Sequence, residues 1–125
     1  LLDLLDVKAS AYWTDHYRFD TPSAPRSKRL GRAGAEHILI NAVVPTLFAL
    51  GRIQGRPDYR DRALGLLEQL PAEKNTLITG WNALGLKADT AARGQALIEL
   101  KNEYCGKRRC LSCGIGNQLL RSTVK

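Results

Sequence analysis

Residues 35–51 read AEHILINAVVPTLFALG and form the most apolar stretch of this 125-residue chain. Apolar side chains fall on nearly every face of a helix drawn through it, a pattern typical of a buried central helix. A buried strand is the competing interpretation, because residues 38–44 are rich in β-branched side chains, but the length of the stretch favours a helix. Pro45 removes one backbone donor and predicts a kink, and Gly51 predicts the end of the helix.

Shorter helices are predicted on both sides of this segment. Pro57 and Asp58 open an amphipathic helix that Pro71 ends, and Gly85 closes the next one. Asp89 or Thr90 suits the N-cap of a further helix. Helical spacing of apolar residues therefore predicts helices over residues 58–70, 73–84 and 89–104, with short helical segments over 1–8, 10–17 and 117–123.

Two segments lack helical periodicity and are predicted to be loops. Residues 20–34 hold two prolines and two glycines, and residues 105–116 hold all three cysteines. No strand or hairpin signal is found along the chain. The sequence predicts an all-α fold, four or five packed helices with a C-terminal cysteine-containing loop, in a single helical domain over residues 1–125.

Composition predicts whether the chain is a fragment, whether it meets a membrane and in which compartment it is found. It opens with an apolar, helix-like stretch, residues 1–5, without Met, which predicts the C-terminal fragment of a longer protein whose N-terminal region is a partner. The longest apolar run, residues 38–50, falls short of the roughly 18 residues of a membrane span, so no membrane association is expected. Three cysteines within nine residues make a poor disulfide framework and predict a reducing, cytoplasmic compartment.

The net charge of +7 is concentrated in two short segments. Residues 18–32 sum to +4 and residues 101–125 to +5, whereas residues 33–100 are neutral. Clustered cations suit an anionic partner, nucleic acid foremost, although a solvated surface explains basic runs equally well. The candidate nucleic-acid-binding residues are Lys28, Arg29, Lys107, Arg108 and Arg109.

The cysteine segment, CGKRRCLSCGIG over residues 105–116, is the most specific chemical feature. Cys110 and Cys113 have the spacing at which two sulfurs converge on one metal ion, and Cys105 lies close enough to add a third. Four ligands are the rule for a closed zinc or iron–sulfur site. His16 is the leading candidate for the fourth, with His37 or a cysteine outside the chain as alternatives. Zinc is favoured over an iron–sulfur cluster.

Other interpretations of these residues stay open. The cysteines can be reduced structural thiols with no metal bound, or a redox pair. No catalytic residue is predicted, because no nucleophile lies near a histidine in sequence and the carboxylates suit solvated or capping positions.

Six blocks of sequence, in order and over nearly the whole chain, carry a family resemblance. They are Tyr12-Trp13-x-x-His16-Tyr17-x-Phe19, Lys28-Arg29-Leu30-Gly31, Ile40-Asn41-x-Val43-Val44-Pro45-x-Leu47-Phe48-Ala49, Leu67-Glu68-Gln69-Leu70-Pro71-Ala72-Glu73-x-Asn75, Gln95-Ala96-Leu97-x-x-Leu100-Lys101-Asn102-Glu103-Tyr104-Cys105 and Arg109-Cys110-Leu111-x-Cys113-x-Ile115-Gly116-Asn117. Together they resemble the C-terminal region of the uncharacterised domain of unknown function family 2851, which is bacterial and mainly from Bacteroidetes. The last block is the most specific.

The resemblance implies that the parent protein is several times longer and that no catalytic residue can be transferred to this chain. The N-terminal half of such proteins resembles nucleases of the restriction-endonuclease type, which implies that any active site lies outside this fragment. The leading hypothesis is thus a non-catalytic helical accessory domain, metal-stabilised and associated with nucleic acid. The alternatives are a metal-free protein-interaction module with reduced thiols, and the C-terminal part of a nuclease-like enzyme.

Overall fold

The apolar stretch lies within one continuous helix, Arg32–Ile53, in a computed structural model that describes residues 1–122. The helix consists of α1 (Arg32–Ile38), a π-helical turn (Leu39–Val43) and α2 (Val44–Ile53). The amide of Val44 donates to the carbonyl of Leu39, five residues back. Pro45 follows at once in the first turn of α2, where its missing donor is tolerated. The predicted interruption near Pro45 therefore takes the form of a π turn just before it.

This helix is not buried on all sides, so that part of the prediction is wrong. Leu39, Ile40 and Val44 are buried, but the side of the helix away from the core is open and Ile53 is 81% exposed. Apolar side chains on all faces of the helix predicted that it would be buried. The other helices, however, cover only the side that carries Leu39, Ile40 and Val44. By length and composition alone the helix could span a membrane, a property that it shares with core helices of soluble proteins.

Within residues 1–122, four further helices follow in the predicted positions. The structure has α3 (Pro57–Gln69), α4 (Thr76–Ala83), α5 (Ala91–Glu99), which continues as a π-helical turn (Leu100–Cys105), and α6 (Gly114–Ser122). The side chain of Asn75 accepts from the Ile78 amide at the start of α4, and that of Thr90 accepts from the Arg93 amide at the start of α5. Residue 123, the last of the helix predicted over 117–123, lies outside the described residues.

The core forms where the π turn of the long helix meets the ends of α3 and α5. Leu39, Ile40, Leu70 and Ala91 make one buried cluster, with Val43 among the partly buried residues against it. The Ala91 amide donates to the Leu70 carbonyl at 2.8 Å, which ties the end of α3 to the start of α5. Burying these side chains supplies the main stabilisation available to a chain of this size.

The N-terminal third is more irregular than predicted. Short 3₁₀ helices span Leu2–Leu5 and Ala11–Thr14, where longer helical segments were expected. An antiparallel hairpin pairs β1 (His16–Arg18) with β2 (Thr21–Pro22), so the expectation of no strands is wrong. Asp20 turns the hairpin with a positive φ of 55°, and its amide donates to the Tyr12 hydroxyl. Strands this short carry too few residues to show an alternating pattern.

Gly51 does not end the long helix, contrary to the prediction. The helix runs on to Ile53, and Gly55, with a φ of +64°, is the residue with left-handed backbone that follows it. Gly51 is buried at the contact with the neighbouring turn and α3, where an added Cβ would lie 2.8 Å from Cγ of Arg60 and 2.9 Å from the carbonyl oxygen of Arg56. The missing side chain therefore lets α2 and α3 pack closely.

We expect Gly51→Ala to destabilise the protein by about 1–3 kcal/mol, because a methyl group has no space in that contact. Gly65→Ala is the matched control. Gly65 lies within α3 with nothing within 4 Å of its added Cβ, so alanine there should stabilise by up to about 1 kcal/mol. Urea unfolding followed by circular dichroism measures both changes. Equal stability of the two variants would contradict the packing role of Gly51.

Candidate metal centre and nucleic-acid interface

The three cysteines line one cavity at the C-terminal end of the fold. Cys105 ends the π-helical turn that follows α5, Cys110 begins a 3₁₀ turn (Cys110–Ser112), and Cys113 directly precedes α6. The cavity measures about 280 Å³. Its other walls are apolar or aromatic and include Trp81, Leu86, Leu100, Tyr104 and Ile115.

Backbone hydrogen bonds and one close approach shape this loop. The amide of Gly106 donates to the carbonyl of Lys101 at 2.7 Å, and that of Arg109 to the carbonyl of Tyr104 at 2.9 Å. A Cβ on Gly116 would lie 2.6 Å from the carbonyl oxygen of Cys110, so glycine is required there. Gly114 has open space around it. Of these two glycines, Gly116 is therefore the one at which a side chain would clash with the loop backbone.

The cysteines are free thiols with different accessibility. Cys105 and Cys110 are exposed, whereas Cys113 is 8% exposed and belongs to the buried side of the loop. Within residues 1–122, no three His, Cys, Asp or Glu side chains stand in an arrangement that could hold a metal ion. The three cysteines therefore line one cavity, but their side chains do not converge on one metal position in this structure.

His16 lies in the N-terminal hairpin region and not on the cysteine cavity. Its Nδ1 is 2.7 Å from Asp15 Oδ1 and 2.9 Å from the Tyr12 carbonyl oxygen, and its ring stacks on that of Tyr12 at 4.1 Å. His37, the alternative ligand, lies on α1 with Nδ1 2.5 Å from Glu73 Oε1. Each histidine thus has other partners, and the structure brings neither to the cysteines.

Two of the predicted nucleic-acid-binding residues, Lys28 and Arg29, are engaged elsewhere. Arg29 donates from Nε to Asp6 Oδ1 at 2.6 Å and makes a second hydrogen bond to the same carboxylate, which holds the pKa of Asp6 below its usual value. The Nζ of Lys28 is buried 3.0 Å from the centre of the Tyr17 ring. This ammonium lowers the pKa of the Tyr17 phenol. Neither cation is presented freely to a phosphate.

The cations of the cysteine loop are more available. Lys107 pairs with Glu103 one turn earlier, at 2.5 Å, and its hydrogen bond lowers the pKa of Glu103. The guanidinium of Arg109 lies 5.6 Å from the Tyr104 ring centre. Arg108 is exposed, has a positive φ of 52°, and makes no side-chain hydrogen bond or ion pair within the described residues. In the basic loop, residues 106–109, the side chains of Arg108 and Arg109 are therefore exposed and not held by an ion pair within the described residues.

A polar cluster that the sequence did not predict joins Glu73 to His37, Asn41 and Gln95. The carboxylate of Glu73 accepts from His37, from Asn41 Nδ2 at 2.8 Å and from Gln95 Nε2 at 3.0 Å. These partners come from the long helix and from α5, 22 to 36 residues away in sequence. No local sequence motif links these residues, and the sequence alone assigned Glu73 to an ordinary capping or solvated position. Only the packed fold brings them together.

The chain matches a known protein family. The model of a family described as protein of unknown function (DUF2851) matches residues 1–76, and the chain belongs to that family. The resemblance read from the sequence is thereby confirmed at the level of the family. The match ends at the first residue of α4, ahead of the cysteine loop. No curated protein and no solved structure matches the chain.

In the reduced, metal-free protein we expect Cys105 and Cys110 to react rapidly with a disulfide reagent and Cys113 to react slowly, because Cys113 is buried. Gly116→Ala should accelerate the slow thiol by forcing the loop away from Cys110. Gly114→Ala, which meets open space, is the matched control. Stopped-flow thiol titration measures the rates. Three equal rates in the unmodified protein would contradict this arrangement of the loop.

Proposed function

We propose that this chain is a non-catalytic helical accessory domain in which a metal ion ties the cysteine loop to the helical body and presents basic residues to nucleic acid. One observation carries the proposal: the three cysteines line a single cavity at the base of the loop that holds Lys107, Arg108 and Arg109. A metal held there would contribute folding free energy directly to the loop.

The donor chemistry favours zinc. Three thiolates, two of them in the Cys110-x-x-Cys113 arrangement, match structural zinc sites, which take cysteine or histidine as the fourth ligand. An iron–sulfur cluster commonly needs four cysteines, one more than the chain contains. The fourth zinc ligand would come from His16 after rearrangement, from His37, or from a residue outside the chain. The apolar wall of the cavity would limit the access of water to the sulfurs.

The availability of the loop cations supports contact with phosphate. Arg108 has no side-chain partner to lose within the described residues, and the Lys107–Glu103 pair is a surface ion pair of small net value. Exchange of Glu103 for a phosphate therefore costs little. Glu103 is the one acid among residues 101–125, which carry a net charge of +5, so this segment would repel an anionic chain little.

We expect one zinc ion per chain in protein purified under reducing conditions, as measured by elemental analysis. Cys110→Ser and Cys113→Ser should lower the zinc content and the melting temperature, and a chelator should destabilise the unmodified protein but not these variants. No metal, together with three titratable thiols and no effect of chelators, would contradict the metal part of the proposal.

Arg108→Ala with Arg109→Ala should weaken binding to a fluorescent DNA duplex about tenfold or more and reduce the dependence of log Kd on log salt by about two. Fluorescence anisotropy at several salt concentrations measures both quantities. Arg62→Ala, an exposed position on α3, is the control and should leave binding unchanged. Equal affinity of the double variant and the control would rule out the basic loop as the phosphate contact.

A metal-free protein-interaction module is the second candidate. It is favoured by the apolar lining of the cysteine cavity and by two exposed leucines, Leu111 in the 3₁₀ turn and Leu120 in α6. For such a module we expect no bound zinc, no effect of chelators on folding, and no loss of DNA binding in the arginine double variant relative to its control. The third candidate, the C-terminal part of a nuclease-like enzyme, requires an active site outside this chain.

A further inference from the structure

The Glu73 cluster orients one histidine ring. Both carboxylate oxygens are occupied, Oε1 by His37 and Asn41 and Oε2 by Gln95. The side-chain amides of Asn41 and Gln95 both donate to this carboxylate, and the tautomer that fits the 2.5 Å contact has Nδ1 of His37 as a further donor. Nε2 of the neutral ring then carries the free electron pair. The 3.2 Å approach of Asn41 Nδ2 to Nδ1 joins two donors and is proximity without a hydrogen bond.

The free nitrogen belongs to an open side chain. The His37 side chain is 69% exposed while that of Glu73 is only 16% exposed, so the support is largely buried and the ring is not. Hydrogen bonds to the ring within the described chain involve Nδ1 alone. His37 lines a cavity of about 620 Å³ together with Asn41, Glu73 and Lys74. The lining also holds Glu36, whose carboxylate is paired with Arg32, and Lys74 supplies the permanent positive charge of the lining.

We propose that His37 is a phosphoryl-acceptor site that takes a phosphoryl group on Nε2 from small donors of the phosphoramidate or acyl-phosphate class. The electron pair of Nε2 attacks phosphorus, and the N–P bond becomes the link to the protein. With phosphoramidate as donor, its own N–P bond breaks and the nitrogen leaves as ammonia with the bonding pair. With an acyl phosphate, the bond between phosphorus and the acyl oxygen breaks and a carboxylate leaves with the bonding pair. The proton on Nδ1 stays in place, shared with Glu73, whose negative charge stabilises the cationic phosphorylated ring.

The chain provides its own internal control, because His16 and His37 are the two histidines present. The His16 side chain is 16% exposed, and its ring is stacked on Tyr12. It therefore has a carboxylate neighbour but lacks the open position of His37. Selective reaction at His37 would show that the open ring is the reactive one, and the Glu73 variant then tests whether the carboxylate contributes beyond accessibility.

The test is incubation of the whole chain with potassium phosphoramidate, followed by mass spectrometry of peptides and phosphorus NMR. We expect the phosphoryl group on Nε2 of His37, formed about tenfold faster than any product on His16, and no such product in His37→Gln. Glu73→Gln should slow the reaction about tenfold, since the amide does not stabilise the cationic ring. Glu36→Gln is the matched control, because Glu36 lines the same cavity but pairs with Arg32.

Each outcome decides the proposal. Equal rates at the two histidines, no product at His37, or equal rates in Glu73→Gln and Glu36→Gln would make the cluster a hydrogen-bonded staple only. Circular dichroism shows whether the Glu73→Gln variant folds. Should it not, the nitrogen of His37 that carries phosphorus in the unmodified chain decides the question, because a product on Nδ1 would contradict the hydrogen bond from Nδ1 to Glu73. The cysteine loop takes no part, so this result is independent of the function proposed above.

Discussion

The packing of Leu39 and Ile40 against Leu70 and Ala91 is the contact on which the rest of the structure depends. It joins the π turn of the long helix to the end of α3 and the start of α5, and the hydrogen bond between the Ala91 amide and the Leu70 carbonyl fixes the two ends side by side. Burial of these few side chains provides most of the favourable free energy available to so small a core.

Both candidate sites follow from that contact. Glu73 lies just beyond the end of α3, and Gln95 lies one turn after Ala91, so the core contact sets their approach to His37. At its other end α5 continues into the π turn that finishes at Cys105, which positions the cysteine loop. The segment formed by α5 and its π-helical turn therefore contributes to both proposed sites, with Gln95 near its start in the Glu73 cluster and Cys105 at its end on the cysteine cavity.

What the sequence revealed depended on how local the cause was. The caps and stops of α3, α4 and α5 are short-range features, and the helices form where the pattern predicted them. The approach of Cys105, Cys110 and Cys113 also arises within nine residues. The partners of Arg29 and Glu73 lie 23 and up to 36 residues away and no pattern announces them. The role of Gly51 required the position of α3, and the open side of the long helix required the placement of every other helix.

The π turn at Leu39–Val43 has a consequence for comparison within the family. A π turn contains one residue more than the α-helical turn it replaces. The side chains after the turn are therefore shifted around the helix axis relative to those before it. A relative that lacked this extra residue would have its second half rotated by about 100° relative to the first. Its residues facing α3 would then differ from those here even if the aligned letters were identical. Insertions and deletions of a single residue in this segment thus matter more for alignment than substitutions do.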